Sequence, residues 1–241
     1  MKIQVWYLYH SGFAVETEST FLVFDYWRDT PRGGLAAGVI DPKELAAKNK
    51  KVVVLSSHNH PDHYNPVILR WKREIPGMEL VLSRDIPAGS DALMVGVNSS
   101  YCHAGLTLRT FASNDEGVAF LVEVDGAVIY HAGDLNWWHW EGEPDAYNED
   151  MARRYKAQID KLRGVAIDLA FVPVDPRLGA QYAWGADYLM GVADVRHLVP
   201  MHFGADAQVV ARLLSDPMSQ PYRGRVISLT ERGQTAELLL S

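Results

Sequence analysis

The sequence predicts an α+β sandwich, two β-sheets packed face to face with helices on their outer sides. Two patterns predict it. Strand-like segments come first in a run and helices then join them, and the same order begins again in the second half of the chain. Continuous apolar, β-branched runs at 52–56 and 169–174 read as strands buried on both faces, not as half-exposed ones. With 241 residues, 48% of them hydrophobic and 22% charged, the chain has enough apolar mass for a large core. No internal repeat, low-complexity stretch or linker divides it, so one domain over 1–241 is expected.

The elements follow in order. Residues 3–9 alternate apolar and polar and read as a strand; Ser11-Gly12 is a turn, and 13–16 and 21–25 complete an opening meander. A short helix is expected over 42–49, capped by Asp41 with Pro42 at its first position. After the strand at 52–56, Pro66 opens a second helix over 66–74. Short strands are expected at 79–82 and 106–110, and a hairpin over 118–130 turns at Asp125-Gly126. Residues 150–162 form a helix with a charged face, 169–174 a buried strand, 186–192 a helix and 197–201 a strand. A helix at 206–214 and closing strands at 226–229 and 235–239 end the series.

Charge and cysteine content narrow the function. Lys and Arg number 23 against 30 Asp and Glu, a net charge of −7, which disfavours a nucleic-acid partner. Cys102 is the only cysteine, so no intrachain disulfide and no Cys-rich zinc site can form. The opening MKIQVWYLYHSG lacks the pattern of a signal peptide, and no apolar run is long enough to span a bilayer. A cytoplasmic protein with no membrane partner is expected.

The segment Ser56-Ser-His-Asn-His-Pro-Asp-His-Tyr64 carries the chemistry. It follows a buried strand, so a rigid scaffold positions an exposed loop. His58 and His60 are two apart and share a direction in extended backbone, while Pro61 stiffens the bend that aims Asp62 and His63. Imidazole and carboxylate donors suit Zn²⁺, Mn²⁺ or Fe²⁺. A polar surface loop is the competing reading, but such a cluster has little structural use without a metal.

This motif resembles the hallmark of the metallo-β-lactamase superfamily. The resemblance runs along nearly the whole chain: Tyr9-His-Ser-Gly-Phe13 and Leu22-Val-Phe-Asp25 look like the opening strands and their structural aspartate. Tyr130-His-Ala-Gly-Asp134 looks like the strand before a metal-bridging aspartate, and Val199-Pro-Met-His202 looks like the last metal histidine. Tyr-His-Ser-Gly with Tyr-His-Ala-Gly-Asp is most similar to the ascorbate-6-phosphate lactonase-like branch. The resemblance implies a four-layer αββα sandwich with one or two divalent metals at one edge. It places His58 and His60 on a first metal, Asp62, His63 and His202 on a second, and Asp134 between them. Catalysis would use a metal-activated water, with Asp62, His63 and Asp134 as its central groups.

The family normally supplies a third histidine to the first metal, and the matching stretch 111–117 contains none. Asp115 is the best substitute, an oxygen ligand that favours Mn²⁺ or Fe²⁺ over Zn²⁺; a plain turn at Asn114-Asp115 is the alternative. His103 and His139 are fallback ligands, while His10 and His131 read as packed or hydrogen-bonding neighbours. Trp137, Trp138 and Trp140, with His139 among them, follow Asp134 and are candidates for a substrate wall, and Arg177 for holding a phosphate or carboxylate by its fork. The expected function is metal-dependent hydrolysis of a small anionic ester, lactone or phosphoester. A nucleic-acid phosphodiesterase and a non-catalytic metal- or ligand-binding member of the fold are the alternatives, and assembly into a homo-oligomer is left open.

Overall fold

The computed structural model describes residues 1–87 and 91–240, and the argument for each element is one of faces. The first sheet contains β1 (Lys2–Tyr9), β2 (Gly12–Glu16), β3 (Thr20–Phe24), β4 (Lys51–Ser56), β5 (Glu79–Ser83) and β6 (Leu93–Val95), closed on its other edge by β13 (Thr235–Leu239). Its order is β13-β1-β2-β3-β4-β5-β6. The second sheet, in the order β12-β11-β10-β9-β8-β7, contains β7 (Ser100–His103), β8 (Leu106–Ala112), β9 (Val118–Val124), β10 (Ala127–His131), β11 (Ala166–Pro173) and β12 (Asp194–Met201). Both sheets are mixed. The meander β1–β2–β3 is antiparallel and β3 to β6 are parallel; β7 to β10 are antiparallel and β10 to β12 parallel.

Strand β4 shows why its sequence is apolar throughout. Val53 and Leu55 face the core between the sheets, whereas Val52 and Val54 face a second core on the outer side of the first sheet. Side chains alternate across a strand, so a run without polar residues means cover on both faces. That outer cover comes from α1 (Pro42–Ala47) and the short α2 (Ile68–Trp71), through Leu45, Ile68 and Trp71. The second sheet is covered by α3 (Asp145–Ile159), α4 (Trp184–Val192) and α5 (Gln208–Ser215), which contribute Tyr155, Leu189 and Val210 to the larger core. The architecture is the expected αββα sandwich.

Several elements differ from the sequence reading. The helix expected at 66–74 narrows to four α-helical residues, continued by isolated turns. Strands β6 and β7 were not anticipated, and α3 starts at Asp145 instead of 150. No strand forms at 226–229: Val226 makes a single parallel bridge to Leu198. Among the described residues, no helix is long and apolar enough to cross a membrane.

Parallel order places the carboxyl ends of β3 and β4, and those of β10, β11 and β12, at the same edge of their sheets. The loops leaving those ends carry Asp25, residues 58–63, Asp134, Asp175 and His202. Binding sites of open α/β sheets sit at such ends. The two edges are tied together by backbone bonds, from Val118 N–H to Ser57 O at 3.0 Å and from His202 N–H to His10 O at 3.2 Å.

Candidate metal centre

Two compact clusters of ligating groups meet at this edge. His58, His60 and Asp134 form one; His10, Asp62, His63 and His202 form the other. The Asp134 carboxylate stands between them: Oδ1 is 3.1 Å from His63 Nε2 and 3.2 Å from His202 Nε2, and Oδ2 is 3.6 Å from His58 Nε2. His58 Nε2 in turn lies 3.0 Å from His60 Nδ1.

Each inner imidazole is aimed by its other nitrogen. His63 Nδ1 donates to Asp25 Oδ2 at 2.7 Å, and His202 Nδ1 to Asp175 Oδ2 at 3.0 Å. Ser57 Oγ gives its proton to Asp25 at 2.7 Å and faces His58 Nδ1 at 2.9 Å. Asp25 and Asp175 are fully buried. Carboxylates behind histidines in this way fix the tautomer and leave Nε2 with a lone pair. Asp25 and His202 hold positive φ angles of 44° and 67°, a backbone conformation uncommon outside glycine and concentrated at functional sites.

The electrostatics ask for a cation. Burial alone would raise the Asp134 carboxyl, but His63, His202 and His58 hold it well below the usual range. Burial would lower His202, yet Asp134 and Asp175 push it up to about 10. His63 is raised against its burial by Asp134 and Asp25. Meanwhile His63 Nε2 and Asp134 Oδ1 are buried with no hydrogen-bond partner. Buried polar atoms left unpaired are costly. Imidazole nitrogens and carboxylate oxygens converging around the unpaired His63 Nε2 and Asp134 Oδ1 fit divalent metals of the Zn²⁺, Mn²⁺ or Fe²⁺ kind.

A cleft of about 350 Å³ opens over the clusters, lined by His60, Asp62, Asp115, Asp134, Trp138, Trp140, Tyr147, Met151, Arg177 and His202. Trp138 donates its indole N–H to Asp134 O at 3.0 Å, and its ring lies edge-on to His202 and parallel to Trp140. Arg177 grips Asp175 with Nε and Nη2 while its side chain stays 60% exposed over the Trp140 ring.

Asp115 lines the cleft but stands outside both clusters; burial and Asp134 raise its carboxyl. Its neighbour Asn114 is buried, its amide donating to Asn136 O and Met151 O, so this turn braces the loop after Asp134 against α3. Trp137 and His139 pack against Trp184 and are not among the residues lining the cleft, where Trp138 and Trp140 take that place. His103 faces Glu79 at 3.3 Å, and His131 donates from Nε2 to Ser11 O at 2.8 Å in the core. Tyr147 and Met151 escaped sequence reasoning. Both lie on the first turns of α3, where the four-residue spacing of Tyr147, Met151 and Tyr155 was the available signal.

Comparison with known proteins agrees with this geometry. Residues 4–139 match the β-lactamase superfamily domain, a stretch that includes residues 58–63 and Asp134. The chain belongs to this family. Within the β-lactamase superfamily, it is 24% identical to a metal-dependent hydrolase of Thermococcus kodakarensis over 89% of this chain and 93% of that one. A metallo hydrolase of the archaeon Ignicoccus hospitalis superposes over the full length of both chains with a TM-score of 0.66 at 19% identity. The metallo-β-lactamase fold protein YhfI of Bacillus subtilis gives 0.62 at 12% identity, over 98% of this chain and 99% of its own. These two structures share the fold.

Proposed function

We propose that the protein is a metal-dependent hydrolase of a small anionic ester, lactone or phosphoester. The observation that carries this reading is the convergence of the Nε2 atoms of His58, His63 and His202 on the two oxygens of Asp134. His58, His60 and Asp134 would hold one metal, and Asp62, His63, His202 and Asp134 a second. When bound, such metals supply water activation at neutral pH and polarise the oxygen of the bond under attack. Asp62, lining the cleft, would orient a water activated there. Trp138, Trp140 and Tyr147 shield the site from bulk water and offer flat apolar surface. Arg177, preset by Asp175, presents its remaining N–H groups to a carboxylate or phosphate. The net charge of −7 and a cleft of only about 350 Å³ support a small substrate over a nucleic acid.

Metal analysis of protein purified without chelator, followed by a panel of lactones and phosphoesters with and without Mn²⁺ and Zn²⁺, tests the reading. Metal-dependent turnover of one class is expected. His63→Ala and Asp134→Ala should each lower it by at least about 10³-fold, as removal of a metal-activating group does. Full turnover in either variant, or a chain that binds no metal, would count against it.

A further inference from the structure

We infer that His10 is a positioning residue that carries its ring proton on Nε2 and steadies the Asp62 carboxylate, beside the metal ligands without being one. The inference rests on the metal-centre reading above and deepens it.

A neutral imidazole has one N–H and one lone pair, and the hydrogen bond at one nitrogen decides the state of the other. His58, His63 and His202 are all set the same way. Each directs Nδ1–H to an acceptor, namely Ser57 Oγ, Asp25 and Asp175, and keeps the Nε2 lone pair for the centre. His10 is set the opposite way. The backbone N–H of Gly204 donates to His10 Nδ1 at 3.2 Å, which leaves the proton on Nε2. A protonated nitrogen has no lone pair for a metal. Proximity alone would group His10 with Asp62, His63 and His202, but its tautomer separates it from them.

His10 Nε2 is buried and makes no hydrogen bond of good geometry; the carboxylate it faces is Asp62, whose Oδ2 lies 3.4 Å away. The ring cannot swing elsewhere. Its backbone N–H donates to Tyr7 Oη at 2.8 Å, its carbonyl accepts from His202 N–H, and its ring packs 4.1 Å from that of His202 and edge-on against Trp27. The residue sits at φ 57°, left-handed backbone that a non-glycine residue adopts only where its surroundings compel it. A rigidly held imidazole thus faces a carboxylate that is itself 37% exposed. The donor's effect is to choose which Asp62 oxygen faces the centre.

The test uses Co²⁺ as the probe, with the full chain, and reads equivalents bound, affinity and the visible absorption of the bound ion. His10→Asn keeps a residue that tolerates positive φ, while its shorter amide stops near the Nδ1 position. His10→Gln returns an N–H near Nε2. The expected result is that His10→Asn binds as many Co²⁺ equivalents as the parent with affinity weakened by about 10-fold, the low end for removal of a ligand's hydrogen-bond partner. His10→Gln should restore both affinity and spectrum, and His10→Asn should have no further effect in an Asp62→Asn background. Loss of one equivalent in His10→Asn would make His10 a ligand and overturn the proposal. So would unchanged affinity, or an equal loss in the Asp62→Asn background. If His10→Asn fails to fold, His10→Gln decides alone: parent-like equivalents and affinity support the inference, and a lost equivalent overturns it. A parent that binds no Co²⁺ removes the metal-centre reading itself, and this inference with it.

Discussion

Asp175 links two tasks that the sequence kept apart. Its carboxylate accepts from the backbone N–H and the guanidinium of Arg177, and from His202 Nδ1. Burial would raise this carboxyl, but His202 and Arg177 hold it to about 2, so it stays ionised wherever the protein is folded. A neutral amide in its place would leave His202 free to take the wrong tautomer and Arg177 without its anchor. Asp175→Asn should therefore weaken Zn²⁺ or Mn²⁺ binding by about 10- to 100-fold, the usual effect of losing a ligand's orienting partner. Competition with a coloured chelator measures it. Arg177→Ala should leave metal affinity near the parent value and raise KM for an anionic substrate. Equal metal affinity in Asp175→Asn and parent would show that Asp175 serves Arg177 alone.

At the scale of elements, the sandwich depends on close approach between the two sheets' loops at the site edge. Gly117, at φ 66°, lies where an added Cβ would come 2.0 Å from Ser57 O, the carbonyl that accepts from Val118 N–H. Gly117→Ala combines a backbone penalty with a clash against main chain, and should cost at least about 2 kcal/mol. Urea denaturation checks this through a lower midpoint at unchanged slope; a midpoint within error of the parent would show that the loops part without penalty. The same element logic explains what was legible beforehand. β4, β11 and the meander were readable because burial on both faces, or on one, writes a plain pattern. β6 has only three residues and β7 reads Ser-Tyr-Cys-His, so neither carries a pattern of its own; pairing to β5 and β8 makes them strands. Tyr147, Met151 and Tyr155 recur every four residues along α3, so its earlier start did have a signal in the sequence. The clustered histidines and carboxylates were legible because His and Asp gathered at strand ends have little structural use of their own. Trp137 and Trp138 could not be told apart because their difference lies in which neighbour, Trp184 or His202, each ring meets.

For the whole molecule, the centre is a store of unfavourable charge that protons or a cation must neutralise. Asp25, Asp134 and Asp175 are buried beside His58, His63 and His202. Without metal, His63 and His202 supply that neutralisation by binding protons, whereas burial pushes His58 down and keeps it neutral. His202 shifts from an ordinary value of 6.5 to about 10, and His63 moves in the same direction. A group whose pKa is raised by folding stabilises the fold fully below its unfolded value and loses that contribution as pH rises through its folded value. Metal-free protein should therefore lose thermal stability progressively between pH 6.5 and about 10. Bound metal removes this dependence, because it replaces the protons and binds the neutral imidazoles more tightly as pH rises. The difference in Tm between Mn²⁺- or Zn²⁺-loaded and EDTA-treated protein should widen steadily from pH 6 to pH 9 by differential scanning fluorimetry. A difference that stays flat or narrows would mean that the buried carboxylates are neutralised by something other than His63 and His202. Proton competition at the centre would then no longer govern the stability of the fold.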